Sequence, residues 1–156
     1  MHPDNPHILL ADDDPDDVLL AREALEELGI IGSAANGNNA AGRLTSVADG
    51  IELLDYLNTH ADSPVNAPDL ILLDLNMPRM GGLQALSALK NNPRFARIPV
   101  VVLSTSRSDD DIGSVYRLGG NAYVSKASSF TDTLSQFGAL HHFWFKTAEL
   151  PERGRC

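Results

Sequence analysis

Short apolar runs alternate along this chain with longer stretches in which apolar residues recur every three or four positions, and most of the runs end in a polar side chain. Residues 7–11 (H-I-L-L-A), 70–73 (L-I-L-L) and 98–103 (I-P-V-V-V-L) are too short for helices and carry no alternation, the pattern of strands buried on both faces of a parallel sheet. Residues 43–47 alternate in strand fashion, and 121–125 form a fifth strand that ends at Lys126. Helical spacing fills the gaps. Asp14 caps and Pro15 opens a first helix carrying Val18, Ala21, Leu25 and Leu28, and Gly29 closes it. A second follows the Asp49-Gly50 turn with Ile51, Leu54, Tyr56 and Leu57, a third runs from Leu83 toward Asn91-Asn92-Pro93, and a fourth spans 109–118 before Gly119-Gly120. The last starts near Phe130, places Phe130, Leu134, Phe137, Leu140, His141 and Trp144 on one face, and stops at Pro151. Five strands alternating with five helices, without internal repeats, predict an α/β fold: a (βα)5 doubly wound, five-stranded parallel sheet with its site at the carboxyl ends of the strands. Residues 32–42, rich in Ser, Ala, Asn and Gly, read as a flexible loop. The expected organisation is a flexible N-terminus (1–6), one domain (7–146) and a loose extension (147–156).

Composition narrows the partners. A chain of 156 residues is one domain able to bury its own core, and a formal net charge of −9 excludes the basic face that nucleic-acid binding needs. Cys156 is the only cysteine, so an internal disulfide is impossible and a reducing, cytoplasmic setting is expected. Residues 1–6 have no apolar signal core, and no stretch of about 18 apolar residues suggests a membrane span.

The strand ends then supply chemistry. The topology gathers Asp12, Asp13 and Asp74 in one pocket, with Ser104 and Lys126 arriving from the other two strand ends. Two carboxylates about 5 Å apart repel by roughly 3 kcal/mol at an effective dielectric near 20. Either their pKa values rise or a hard dication sits among them, and Mg²⁺ suits such a set. A carboxylate beside Mg²⁺, with a lysine and a hydroxyl opposite, is a competent phosphoryl acceptor, which makes Asp74 the candidate nucleophile. Plainer roles stand beside these. Acids from Asp12 to Asp17 suit a helix N-terminus, and for Asp14, Asp16 and Asp17 that explanation suffices. Asp74 alone could cap a turn, Ser104 alone could sit in one, and His141 and His142 are surface histidines. The run Phe143-Trp144-Phe145 is wider than one helix face, so at least one ring points outward, and a homodimer through the last helix and its extension is expected.

The pieces L-L-A-D-D-D-P, L-L-D-L-N-M-P-R-M-G-G, V-V-V-L-S-T-S and A-Y-V-S-K, in that order, resemble the response-regulator receiver domain of two-component signalling over roughly residues 6–145. The flavodoxin-like receiver fold follows from the likeness. It implies that Asp74 accepts a phosphoryl group from a sensor histidine kinase, that Asp13 binds Mg²⁺ directly with Asp12 helping through water, and that Asn76 contributes its backbone carbonyl. By the same likeness Ser104 and Lys126 hold the phosphoryl oxygens, and Ser104 moves to release Tyr123 inward, changing the face made by the fourth helix, fifth strand and fifth helix. Tyr123 is read either as this switch or as a half-buried aromatic. The implied activity is that of a phosphoacceptor rather than an enzyme, passing its signal to a protein partner or a phosphotransfer protein. Leu103-Ser104-Thr105-Ser106 followed by acids, the Phe143-Trp144-Phe145 ending and Leu150-Pro151 are similar to the single-domain branch serving phytochrome-type kinases. Ala127 follows Lys126 where many members have proline, and 32–42 is longer than typical. Two other classes compete: a dehalogenase-like phosphatase, which wants a second acid where Asn76 stands, and a flavodoxin-like nucleotide or flavin binder, which wants a phosphate loop where three acids stand.

Overall fold

The computed structural model describes residues 5–33 and 38–154, with side chains at 38–41 set apart. Five strands, β1 (His7–Ala11), β4 (Arg43–Val47), β5 (Leu70–Leu73), β6 (Val100–Ser104) and β7 (Ala122–Ser125), pair in parallel in the order β4-β1-β5-β6-β7. Helices α1 (Pro15–Glu27), α2 (Gly50–His60), α3 (Gly82–Lys90), α4 (Asp109–Arg117) and α5 (Phe130–His142) connect or follow them. Strand order reverses after β1, so the connections cover both faces, as a doubly wound sheet requires.

Alternation along the strands builds two cores. Leu9, Ile71, Leu73, Val100 and Val102 pack with Leu53 and Leu57 of α2, Leu86 and Leu89 of α3 and Val115 of α4. Ile8, Leu10, Leu70, Leu72, Val101 and Leu103 pack with Ala24 and Leu25 of α1 and Phe137 of α5. Because β1, β5 and β6 are covered on both sides, every one of their residues is buried, which explains the unbroken apolar runs. The predicted cap forms, Asp14 accepting from the Asp16 amide, and the structure adds three more: Asp49 accepts from Glu52, Ser108 from Asp111 and Ser129 from Asp132.

The expectation of a flexible loop over 32–42 is corrected. Strands β2 (Ile31–Ser33) and β3 (Asn38–Ala41) form an antiparallel pair beside the main sheet; residues 34–37 of the predicted loop lie outside the described residues. Ile31 anchors the pair at 2 % exposure, so one buried β-branched residue holds a segment whose composition carries no strand pattern.

The C-terminal segment also departs from expectation. After His142 the chain makes a π-helical turn, Phe143–Thr147, closed by the Ala148 amide on the Phe143 carbonyl. The wider turn brings Phe145 into the α1/α5 core, leaves Trp144 only partly buried against it, and exposes Phe143; Phe130, placed on the apolar face by spacing, is also exposed. Beyond Pro151 the described tail, residues 152–154, is docked rather than loose. The Arg153 guanidinium grips both carboxylate oxygens of buried Asp69 and donates to the Asn5 carbonyl at 3.0 Å. Gly154, with φ 73°, lies against the backbone of Ser63 and Pro64, where a side chain would collide. Residues 1–4 of the expected flexible N-terminus, and Cys156, lie outside the described residues.

Candidate functional site

The carboxyl ends of β1 and β5 deliver the acids. Asp12 follows β1 and is 4 % exposed; Asp74 follows β5 and is 7 % exposed. Asp13 turns outward beside them, and one carboxylate oxygen from each of Asp12, Asp13 and Asp74 lies within 4.8 Å of the others. Local backbone geometry holds this edge. The Asp12 carboxylate accepts from the Asp14 amide at 3.0 Å, turning the chain from β1 into α1, and the Asp12 amide bonds Val47 at the end of β4. After β5, Arg79 adopts φ 59°, Gly82 donates to the Leu75 carbonyl at 2.8 Å, and a side chain at 82 would strike the Asp74 carbonyl. The second glycine is therefore required by close backbone approach directly beneath the central acid.

Lys126 enters from the end of β7. Its ammonium lies 2.9 Å from Asp12, 2.8 Å from Asp17 and 3.6 Å from Asp74. Burial alone would lower its pKa; the hydrogen bonds it donates to Asp17 and Asp12, with the charges of Asp12 and Asp74, reverse that and hold it above the usual lysine range. Asp74 moves the other way for a carboxylate. Desolvation pushes its pKa up to about 6 against the opposing charge of Lys126; Asp12 adds to the rise, and the backbone amides of Leu75 and Asn76 resist it. A carboxylate raised in this way gains from any cation that replaces its lost water.

Ser104 stands at the end of β6, fully buried. Strand alternation places it with Val102 on the face covered by α2, α3 and α4, whereas Leu10 and Leu72, the strand residues two positions before Asp12 and Asp74, face α1 and α5. Its hydroxyl accepts from the Ser106 amide at 3.2 Å. Tyr123 of β7 shares that face, half-buried, and its hydroxyl donates to the Ser106 carbonyl at 2.7 Å. Asn76 is exposed in the turn after Asp74. The structure thus brings Asp12, Asp13, Asp74 and Lys126 together; Ser104 adjoins them through its carbonyl, which accepts from the Lys126 amide at 2.8 Å, and is linked to Tyr123 through Ser106.

Sequence reasoning passed over Asp17. Its place in the first turn of α1 already had an adequate explanation, and only the fold shows that its carboxylate reaches Lys126, 109 positions away. Spacing held the available signal: a first-turn acid reaches back toward the strand end from which the helix departs. Ser106 was likewise unannounced, although its hydroxyl donates to Asp111 at 2.6 Å and ties the strand end to the start of α4.

Chemically, the pocket combines three oxygen donors suited to a hard dication with one preplaced ammonium, and the donor set fits Mg²⁺ or Mn²⁺. Among the described residues no helix is long and apolar enough to cross a membrane.

Comparison with known proteins places this geometry in context. Residues 8–137 match the response regulator receiver domain family. Response regulator Rcp1 of Synechocystis is 35 % identical over 140 residues, 88 % of this chain and 94 % of that protein. A probable methanogenesis regulatory protein, FilR2 of Methanothrix harundinacea, is 36 % identical over 88 % of this chain and 82 % of its own length. Among solved structures, the phosphorylated cyanobacterial phytochrome response regulator RcpA superposes with a TM-score of 0.81 at 36 % identity, covering 94 % of this chain and 99 % of that one. The Mn²⁺-bound form of Rcp1 gives 0.76 at 33 % identity, with 94 % and 99 % covered, and a response regulator in red light signalling of R. palustris gives 0.79 at 33 %, with 94 % and 98 % covered.

Proposed function

This chain belongs to the response regulator receiver family, and on that premise we propose that it is a phosphorylation switch in which Asp74 accepts a phosphoryl group from the histidine of a sensor kinase. The observation that carries the reading is the meeting of Asp12, Asp13 and Asp74 around one strand edge with the Lys126 ammonium 3.6 Å from Asp74. In the transfer an Asp74 oxygen bonds to phosphorus as the phosphorus–nitrogen bond to the kinase imidazole breaks, and the electron pair leaves with the imidazole. Positioning and charge neutralisation do most of the work in such a displacement. Asp12, Asp13, Asp74 and the Asn76 carbonyl would hold Mg²⁺, which supplies neutralisation of the phosphoryl oxygens. Lys126 balances the negative charge that remains.

The signal passes through Ser104 and Tyr123. Ser104 leaves the Ser106 amide to reach a phosphoryl oxygen, Tyr123 loses its anchor at the Ser106 carbonyl and turns inward, and the face of α4, β7 and α5 changes partner. The kinase is of the phytochrome type, a reading supported by the likeness to RcpA and to the red-light regulator. The setting is cytoplasmic, the onward recipient is a protein target or a phosphotransfer protein, and exposed Phe143 at the start of the π-helical turn provides an apolar contact for a homodimer.

Incubation with acetyl phosphate and Mg²⁺ tests the core of this reading. Intact mass should rise by one phosphoryl group in the wild type and not in Asp74→Asn; an adduct that persists in the variant refutes Asp74 as the acceptor.

A further inference from the structure

Lys126 is a flexible side chain beside open space. A small crevice between α1 and α5, lined by Leu10, Ala21, Leu103 and Phe137 among others, borders its stem. An ammonium on four methylenes has many rotamers, and two of the three carboxylates around it, Asp12 and Asp74, sit in a cluster that also suits a dication. Something must keep the lysine over Asp74 once a cation occupies Asp12.

We infer that Gln136 of α5 is a positioning residue for Lys126, clasping the backbone on both sides of the lysine while Asp17 anchors its ammonium. The Gln136 amide nitrogen donates to the Ser125 carbonyl at 2.6 Å, and its amide oxygen accepts from the Ala127 backbone at 3.2 Å. One side chain thus satisfies the residue before the lysine and the residue after it. The second bond depends on the departure noted in the sequence: Ala127 has an N–H to give, and a proline there would have none. A planar amide bonding at both ends fixes its own rotamer, so the clasp transmits the position of α5 to the Lys126 Cα. Above it, Asp17 is a first-turn acid of α1 outside the group of three that could share an ion, so its 2.8 Å bond to the ammonium can persist when Asp12 is engaged. Lys126 is therefore held from α5 at its base and from α1 at its tip, and the phosphoryl site inherits its geometry from both helices.

The inference rests on the phosphoacceptor reading, and the test separates the two. Mg²⁺ affinity and beryllofluoride affinity in saturating Mg²⁺ are measured by calorimetry for wild type, Gln136→Ala, Lys126→Ala and the double variant, with Tm recorded for each. Because Gln136 carries no charge and touches no carboxylate of the cluster, Gln136→Ala should leave Mg²⁺ affinity within about twofold and weaken beryllofluoride binding roughly tenfold. In the Lys126→Ala background the same change should have no further effect, the signature of a residue acting through the lysine. Equal beryllofluoride affinity in Gln136→Ala and wild type, or an additive loss in the double variant, overturns the clasp. If Gln136→Ala proves unstable, Gln136→Glu replaces it, since Glu keeps the acceptor for Ala127 but loses the donor to Ser125; an unchanged beryllofluoride affinity there also overturns the clasp. Wild-type protein that takes up no beryllofluoride defeats the phosphoacceptor reading itself.

Discussion

Two aspartates bracket the same four-residue strand: Asp69 precedes β5 and Asp74 follows it, at 8 % and 7 % exposure. Equal burial has opposite consequences. At the amino end Asp69 is fully engaged: Arg153 takes both oxygens, and the His7 amide donates to one of them at 2.9 Å. His7 beside it completes a neutral network, its Nδ1 bonding the Ala67 carbonyl at 3.2 Å and its Nε2 the Thr45 hydroxyl at 2.8 Å. At the carboxyl end Asp74 shares one ammonium with Asp12 and Asp17 and keeps a raised pKa. Satisfied burial holds the fold together, whereas under-compensated burial stores a demand for a cation.

The largest effect should come from unbalancing the satisfied end. Asp69→Ala leaves the Arg153 charge without its partner in a partly buried site and the buried His7 amide without an acceptor, a combination expected to cost about 3 kcal/mol. Urea unfolding should show a large fall in midpoint at constant slope. A loss below 1 kcal/mol would mean that the docked tail contributes nothing to the domain, and the contrast between the two ends would collapse.

Asp74→Asn should do the reverse and stabilise. The folded-state pKa of Asp74, about 6, lies above the ordinary value of 3.8, so between pH 4 and 6 the folded state binds more protons than the unfolded one. Stability therefore falls as pH rises through that window, and above it the ionised wild type carries a penalty of roughly 3 kcal/mol that asparagine escapes. His7 gives the opposite slope. Burial, with the nearby Arg43 charge, lowers its pKa from 6.5 to about 4, so the unfolded state binds more protons and stability is lost as pH falls from 6.5 toward 4. In wild type the two slopes oppose each other. In Asp74→Asn the His7 slope, joined by that of His141, whose pKa burial also lowers, is no longer opposed, and Tm plotted against pH from 4 to 7 should rise more steeply than in wild type; parallel curves for the two proteins would remove the proposed demand at Asp74.

A dication should relieve the same penalty from outside. At ten times its dissociation constant Mg²⁺ stabilises the folded state by about 1.4 kcal/mol, an effect expected in wild type at pH 7.5 and strongly reduced in Asp13→Asn or below pH 5. Equal stabilisation of wild type and Asp13→Asn would place the ion elsewhere.

The contrast between the ends was half legible in the sequence. Asp12, Asp13 and Asp74 announce themselves because an acid directly after an apolar strand has few structural reasons to be there, and the alternation that ends β7 at Lys126 brings in the counter-charge. The (βα)5 order could be read for the same reason, since strands buried on both faces leave uninterrupted runs. The amino end gave no such signal. Asp69 meets Arg153 across 84 positions, and an arginine near a chain end after a proline reads as solvated until the fold returns it to the sheet. The β2/β3 pair was hidden because small polar residues carry no period, and Phe145 because the π-helical turn shifts the helical spacing by one position. Periodic signals travel through sequence; pairwise ones do not.

The smallest expected effect probes how completely the amino end is satisfied. At His7 Nδ1 the Ala67 carbonyl, which can only accept, lies at 3.2 Å and the Arg43 guanidinium, which can only donate, at 3.4 Å; the shorter contact favours the proton on Nδ1, with Nε2 left as the acceptor for the Thr45 hydroxyl. Thr45→Val keeps the volume and β-propensity of an edge-strand residue while removing that donor, and should destabilise by about 1 kcal/mol at pH 7. Neutral imidazole with an unmet acceptor is a better base than one already bonded, so the His7 pKa should move up from about 4 in the variant, which the C2-proton chemical shift in an NMR titration would report. An unchanged titration would mean that burial and Arg43 alone set the value, and that the hydroxyl adds stability without tuning charge. Either result bears on Asp74: the closer the amino end comes to having every polar atom bonded, the more sharply the carboxyl end stands out as the part of the sheet left deliberately short of positive charge.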